Sequence, residues 1–240
     1  MGARIHWVVR PLALAAMALA LGLALTPGAG AQSVPTPLLP NLVALQASEL
    51  RTEVIGTQTS LRFTTTSWNN GAGQLELRPA GLVVENGTTK QRVNQRVFKS
   101  DGSWEDRLAG FFDYHADHNH MHFNGYAEYR LISAEGKAND TVGAKVSFCI
   151  IDTTRMNTRL PGAPKKAQYT TCNATRQGMS VGWGDQYRYY LEGQSLETTG
   201  LPDGQYDLRI TINPQHLLLE QTESDNVSTR RITLVGGRVQ

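Results

Sequence analysis

Between Asp113 and Leu131 the chain reads DYHADHNHMHFNGYAEYRL, and this stretch limits the possible folds more than any other. It holds four of the six histidines in the sequence, His115, His118, His120 and His122. Its flanks are aromatic, with Phe111, Phe112 and Tyr114 before the histidines and Phe123, Tyr126 and Tyr129 after them. That composition favours strand. On a strand His118, His120 and His122 share one face. A flat strand would still set the first and third about 13 Å apart, at a rise of roughly 3.3 Å per residue. One cation can take all three imidazoles only if the backbone bulges or turns among them. Neutral imidazole is the commonest metal ligand in proteins, so a metal-binding strand with a bend is the expectation. The plainer alternative is a solvated histidine-rich loop.

The rest of the chain repeats the strand signal. Asn41–Ala47, Leu61–Trp68, Gln74–Arg78, Gly81–Glu85, Gln91–Lys99, Tyr126–Ser133, Lys145–Asp152, Tyr206–Ile212 and Ser228–Val235 read as strands. Asn69–Gly73, Asn86-Gly87, Ser100–Ser103, Glu135-Gly136 and Leu201–Gly204 separate several of them as turns. Thr153–Tyr169, with Pro161-Gly162-Ala163-Pro164 inside it, reads as a long loop, and Gly178–Tyr190 as a shaped loop rich in glycine and aromatics. No stretch carries a helical period, and no repeat is evident. The expectation is an all-β, sandwich-like single domain over residues 41–236 whose long loops form the site. A proline-rich lead-in over 32–40 precedes it, expected to be mobile up to Leu38.

The first 31 residues bear on compartment. Arg4 and Arg10 are followed by the apolar run Leu12–Leu25, a breaker at Thr26-Pro27-Gly28, and the small-residue triplet Ala29-Gly30-Ala31. This is the pattern of a signal peptide cleaved after Ala31, implying a secreted, extracytoplasmic protein without a transmembrane segment. The segment carries two of the 23 basic residues and none of the 21 acidic ones, so the remainder has 21 of each and no net formal charge. Such a balance gives no electrostatic footprint for nucleic acid. The two cysteines, Cys149 and Cys172, would pair as a disulfide in an oxidising compartment, worth about 3 kcal/mol on the chain-entropy model. A free thiol or a metal ligand is the alternative. Glycosylation sequons stand at Asn86, Asn139, Asn173 and Asn226.

Four blocks in fixed order carry a family resemblance: His118-Asn-His120-Met-His122; Gly143-Ala-Lys145-Val-Ser-Phe-Cys149-Ile-Ile-Asp152-Thr153; Cys172-Asn-Ala-Thr-Arg-Gln177-Gly178-Met-Ser180; and Asp185-Gln-Tyr187. With Leu201–Tyr206, Ile212-Asn213-Pro214 and Glu220…Asp225-Asn226 they resemble the catalytic domain of lysyl oxidases over about residues 40 to 235. The compact size is similar to that of the bacterial and archaeal members. The resemblance implies copper(II) held by His118, His120 and His122; apart from the resemblance, His115 stands close enough in sequence to be an outer-shell helper. The resemblance further implies a lysine tyrosylquinone made from Lys145 and Tyr187. By spacing alone Tyr189 and Tyr190 are equal candidates, and Lys145 is an ordinary strand lysine. The implied activity is oxidative deamination of a primary amine or a protein lysine by dioxygen. Its general base would be Asp185, with Asp152, Asp117 and Glu128 as other candidates.

The resemblance also implies calcium between Asn41-Leu42 and Glu220, Thr222, Asp225 and Asn226, with an ordinary polar turn as the alternative. Departures from the animal pattern leave the substrate open. Most of the family's cysteines are missing, the one preceding the histidine motif is Asp117, and no acidic tail or collagen-recognition module is present. Two rival readings remain at this level. One is a non-catalytic secreted sandwich that binds metal or a cell-surface partner. The other is a zinc hydrolase with three histidine ligands and a carboxylate base.

Overall fold

The computed structural model describes residues 1–2, 34–85, 87–115, 119–136 and 142–240, the side chains of His115, Val142 and Lys145 excepted. Residues 3–31 of the expected signal segment, Asp117, His118 and the sequons at Asn86 and Asn139 therefore lie outside the described residues. Every described element over 35–240 is a strand. They are β1 (Pro37–Leu38), β2 (Leu42–Ala44), β3 (Ser48–Ile55), β4 (Gln58–Asn69), β5 (Leu75–Glu85), β6 (Thr88–Lys99), β7 (Trp104–His115), β8 (His120–Ser133), β9 (Val142–Phe148), β10 (Thr154–Arg155), β11 (Gln177–Met179), β12 (Trp183–Tyr187), β13 (Ser195–Glu197), β14 (Gly204–Ile212), β15 (Val227–Val235) and β16 (Arg238–Val239).

One sheet runs β11-β5-β6-β7-β8-β14-β15-β16, with β1 added on β6 and β9 on β8. A smaller sheet runs β10-β12-β4-β13, with β2 and β3 also on β4. All pairings are antiparallel. The alternation read from sequence puts Ala127, Tyr129 and Leu131 of β8 on the buried face and leaves Arg130 outside. Across the core β8 meets β4. The Phe63 and Tyr129 rings pack edge to face at 5.0 Å. The Tyr126 hydroxyl pairs with Ser67 at 2.7 Å, and the Tyr129 hydroxyl with Thr65 at 3.0 Å. Two sheets thus bury one core and satisfy its hydroxyls across the gap, as an all-β sandwich requires.

Several elements differ from the sequence reading for local physical reasons. Gln74–Arg78 and Gly81–Glu85 form one strand, β5, because the bulge between Pro79 and Leu82 accommodates the proline. Ser48–Ile55 is a strand although its face is polar and largely exposed, because it is an edge partner of β4. Trp183–Tyr187, read as a loop, is β12, placed by its pairing with Thr65–Trp68. The lead-in expected to be mobile up to Leu38 is pinned instead, with Pro37 opposite Lys99 and Leu38 opposite Phe98. Gly73 permits this close approach: a Cβ there would lie 2.0 Å from the Leu38 carbonyl oxygen.

Candidate metal and tyrosine site

The histidines enter at the start of β8. Asn119, just before it, has φ of 52°, so the chain turns through the left-handed region where a straight strand would have continued. Its side-chain oxygen accepts a bond from the Tyr114 hydroxyl at 2.7 Å. His120 and His122 share a face by strand alternation, and their Nε2 atoms stand 2.8 Å apart. Two nitrogens each about 2.0 Å from a common cation, at right angles, would be separated by about that much. His122 is buried and His120 half-buried. Among the described residues no three His, Cys, Asp or Glu converge, His118 lying outside them.

Tyr187, at the end of β12, reaches the same place from the other sheet. Its hydroxyl donates to the Cys149 carbonyl at 2.9 Å and accepts from the Cys149 amide at 3.0 Å. Its ring lies 4.0 Å from that of Phe148. Burial, and then the charge of Asp185, push the hydroxyl well above the ordinary tyrosine range, against the bond from Cys149. The three tyrosines differ in placement. Tyr187 lines a cavity of about 230 Å³ with His120, His122, Asp185, Ile151 and the disulfide, whereas Tyr190 is 64% exposed and packs on Tyr189. Cys149 and Cys172 are bridged, and no described cysteine is free.

The segment after β9 explains why the expected strand Lys145–Asp152 stops at Phe148. Three successive amides find side chains in place of a neighbouring strand. Cys149 donates to the Tyr187 hydroxyl, Ile150 to Gln177 Oε1 at 3.0 Å, and Ile151 to an Asp185 oxygen at 3.3 Å. Alternation sends the first and third to one side and the second to the other. Asp185 is 3% exposed and also accepts from the Thr153 hydroxyl at 3.2 Å. Burial raises its carboxyl well above the usual range, the Ile151 amide and Thr153 hydroxyl oppose this, and the charge of Asp152 adds to it. The other carboxylates have different work. Asp152 takes four bonds, from the Gln168, Tyr169 and Ser180 amides and the Ser180 hydroxyl, and so ties the long loop down. Glu128 pairs with Arg130 and stands opposite Lys145 in the β8–β9 register. The Lys145 backbone lies in β9, two residues from Ser147 in the cavity wall. Thr153 and Gln177 carried no legible signal beyond their place in the motif blocks, because only the fold shows what a buried amide or hydroxyl touches.

A second cluster joins Asn41-Leu42 to the turn around Glu220. Glu220 accepts from the Leu42 amide at 2.7 Å and from the Asn213 and Asn226 side chains at 2.9 and 2.8 Å. Asn41 donates to Asp225 at 2.9 Å. Three buried oxygens here, Oδ1 of Asn41, Asp225 and Asn226, have no hydrogen-bond partner. Burial pushes the Glu220 carboxyl up to about 7, against the bonds from Asn226, Leu42 and Asn213. Thr222 is exposed and bonds Ser224 instead. Asn213, named in the sequence only within a motif block, belongs to the cluster. Asn226 is 3% exposed, which removes its sequon as a folded-state glycan acceptor.

An all-β sandwich thus gathers paired imidazoles, a partly buried tyrosine and a protonatable carboxyl around one cavity. Comparison with known sequences supplies the family: the lysyl oxidase family model matches residues 98–240, and the chain belongs to the lysyl oxidase family. It is 32% identical over 127 residues to lysyl oxidase homolog 2 of Gallus gallus, covering 52% of this chain and 16% of that protein. It is 30% identical over 149 residues to protein-lysine 6-oxidase of Sus scrofa, covering 60% and 57%, and 28% identical over 149 residues to lysyl oxidase homolog 1 of Homo sapiens, covering 60% and 25%. The chain thus aligns with less than two thirds of the length of these relatives. The matched span takes in the histidines, Lys145, both cysteines, Asp185, Tyr187 and the Glu220 turn; Asn41 and β4 precede it.

Proposed function

We propose that the chain is a secreted amine oxidase of lysyl oxidase type. It converts a primary amine or a protein lysine, with dioxygen and water, to an aldehyde, ammonia and hydrogen peroxide. The observation that carries this reading is the convergence of His120 and His122 on one point inside the cavity that also holds Tyr187 and Asp185. The donor set suits copper(II), which takes imidazole nitrogen readily, and His118 would complete the set. Tyr187 and Lys145 would supply the lysine tyrosylquinone. Bound copper and the quinone would supply the electron acceptor and the dioxygen chemistry.

The chain's own residues do the rest. The Cys149 backbone grips the Tyr187 oxygen on both its donor and acceptor sides and so fixes where the ring points. Thr153 and the Ile151 amide orient the Asp185 carboxyl, whose raised proton affinity suits it to accept a proton from the carbon bearing the amine and to give it up later. Ile151, Leu191 and the disulfide give the cavity apolar walls. Such walls exclude water and strengthen the interactions inside. The N-terminal segment to Ala31 acts as an export signal, with the lead-in to residue 40 and the catalytic domain over 41–236. Among the described residues no helix is long and apolar enough to cross a membrane. The three unpartnered oxygens fit calcium, a hard cation that takes carboxylate and amide oxygen.

The test is protein reconstituted with copper, held in air, and assayed for peroxide over a panel of primary amines. Turnover with covalently linked Lys145 and Tyr187 supports the reading. Bound copper without peroxide would move the chain to the non-catalytic metal-binding class, and a preference for zinc with hydrolysis to the hydrolases.

A further inference from the structure

Gln177 is wholly buried, with 0% of its surface exposed, and its carboxamide is used at both ends. Oε1 accepts from the Ile150 amide at 3.0 Å. Nε2 donates to the Met121 carbonyl at 2.7 Å and to the Asn173 carbonyl at 3.3 Å. Met121 sits between His120 and His122, and Ile150 follows Cys149, whose backbone grips the Tyr187 hydroxyl. One planar group therefore spans the two halves of the site, from the histidine strand to the tyrosine's support.

The edge of β8 at Met121 is closed by this same region. The Met121 amide donates to the Cys172 carbonyl at 3.1 Å, and Cys172 is bridged to Cys149. Two straps thus join the same segments. The disulfide keeps them near each other but leaves rotation about its single bonds. The carboxamide adds a rigid plane with a donor and an acceptor in fixed relation, and its own backbone is held in the large sheet opposite Leu77. Both of its ends are out of water, so a shift of either strand would leave a buried polar atom unpaired, a cost that resists slippage.

We propose that Gln177 is a positioning residue that sets the register between the histidine pair and Tyr187. The proposal rests on the amine oxidase reading for what those residues do. Its consequence is kinetic: misplacing reacting groups by about 1 Å can cost on the order of 100-fold in rate.

The test compares wild type with Q177M, which keeps the length and removes all three side-chain bonds, and with Q177E. All three are loaded with copper and held in air. The measurements are copper per folded chain, the copper(II) paramagnetic resonance spectrum, and the rate at which linked Lys145–Tyr187 peptides and visible quinone colour form. Q177M should retain copper and the disulfide, show an altered copper spectrum, and form the cross-link at least about tenfold more slowly per copper-loaded chain. A purely structural role would lower yield and melting temperature but leave spectrum and rate per loaded chain unchanged, and that result overturns the proposal. Q177E decides the matter if Q177M does not fold. Its carboxyl keeps an acceptor for Ile150 but donates to Met121 only while protonated, so its rate relative to wild type should fall as pH is raised; a ratio near unity at every pH overturns the proposal. If wild type itself binds no copper and forms no cross-link, the oxidase reading falls first, and the positioning role falls with it.

Discussion

The cavity around Tyr187 and the cluster around Glu220 both gather polar groups from distant segments, yet they present different atoms to a cation. At the cavity the tyrosine hydroxyl and the Gln177 amide are taken up by backbone, the Asp185 carboxyl by the Ile151 amide and the Thr153 hydroxyl, and the Nε2 atoms of His120 and His122 lie within hydrogen-bond reach of each other. At the Glu220 cluster the nitrogens are bonded and three oxygens are left over. The three unpartnered oxygens cost free energy that a cation would relieve, and the paired imidazole nitrogens are a donor set that a cation could share. Nitrogen ligands favour a transition metal, and oxygen ligands a hard divalent ion. The two sites should therefore respond to different metals, one affecting activity and the other stability.

The largest effects should separate the sites cleanly. His120→Ala should remove copper and all peroxide production while leaving calcium binding intact, as metal analysis of the purified variant would reveal; copper retained at full stoichiometry would count against the histidine assignment. On the proposed amine oxidase reading, Tyr187→Phe should keep copper but form no quinone absorption, because without the hydroxyl that Cys149 holds the ring is not activated for oxidation. Colour persisting in this variant would assign the cofactor to another tyrosine. Next in size is the disulfide, which spans the cavity wall. Cys149→Ser with Cys172→Ser should destabilise the fold by about 3 kcal/mol in denaturant titration, and the unreduced, denatured wild type should yield no reactive thiol.

The Glu220 cluster should give a smaller and purely thermodynamic signal. Calcium at a hundred times its dissociation constant should stabilise the fold by about 2.7 kcal/mol, and Glu220→Gln should blunt that gain while copper content stays unchanged. Equal melting temperatures with calcium and with chelator would make the cluster an ordinary polar turn. The smallest effect is the pH dependence of the calcium-free protein. Folding raises the Glu220 carboxyl from its ordinary 4.5 to about 7. The native state then binds this proton more tightly than the unfolded chain does. The associated stability is fully present below the ordinary glutamate value and is lost as pH rises through about 7. Calcium favours the ionised carboxylate and should flatten the profile.

Much of this was legible in the residues themselves. Period-two alternation in Tyr126–Ser133 and Tyr206–Ile212, set off by glycine and asparagine turns, was enough for an all-β sandwich, because alternation is a local property of strands. The histidine spacing and the ordered motif blocks were enough for a family, and the two cysteines for one bridge. Local sequence could not choose Tyr187 over Tyr189 and Tyr190, since all three lie within four positions and only pairing of β12 with β4 sends one of them into the cavity. Nor could it tell that Cys149–Ile151 leaves its sheet, because the partners that capture those amides come from positions 177, 185 and 187. The same holds for Asn41 and Asp225, which are 184 positions apart and meet only after the sheets close. Patterns that repeat every two residues are written in the chain, whereas contacts between distant segments depend on the packing of the two sheets.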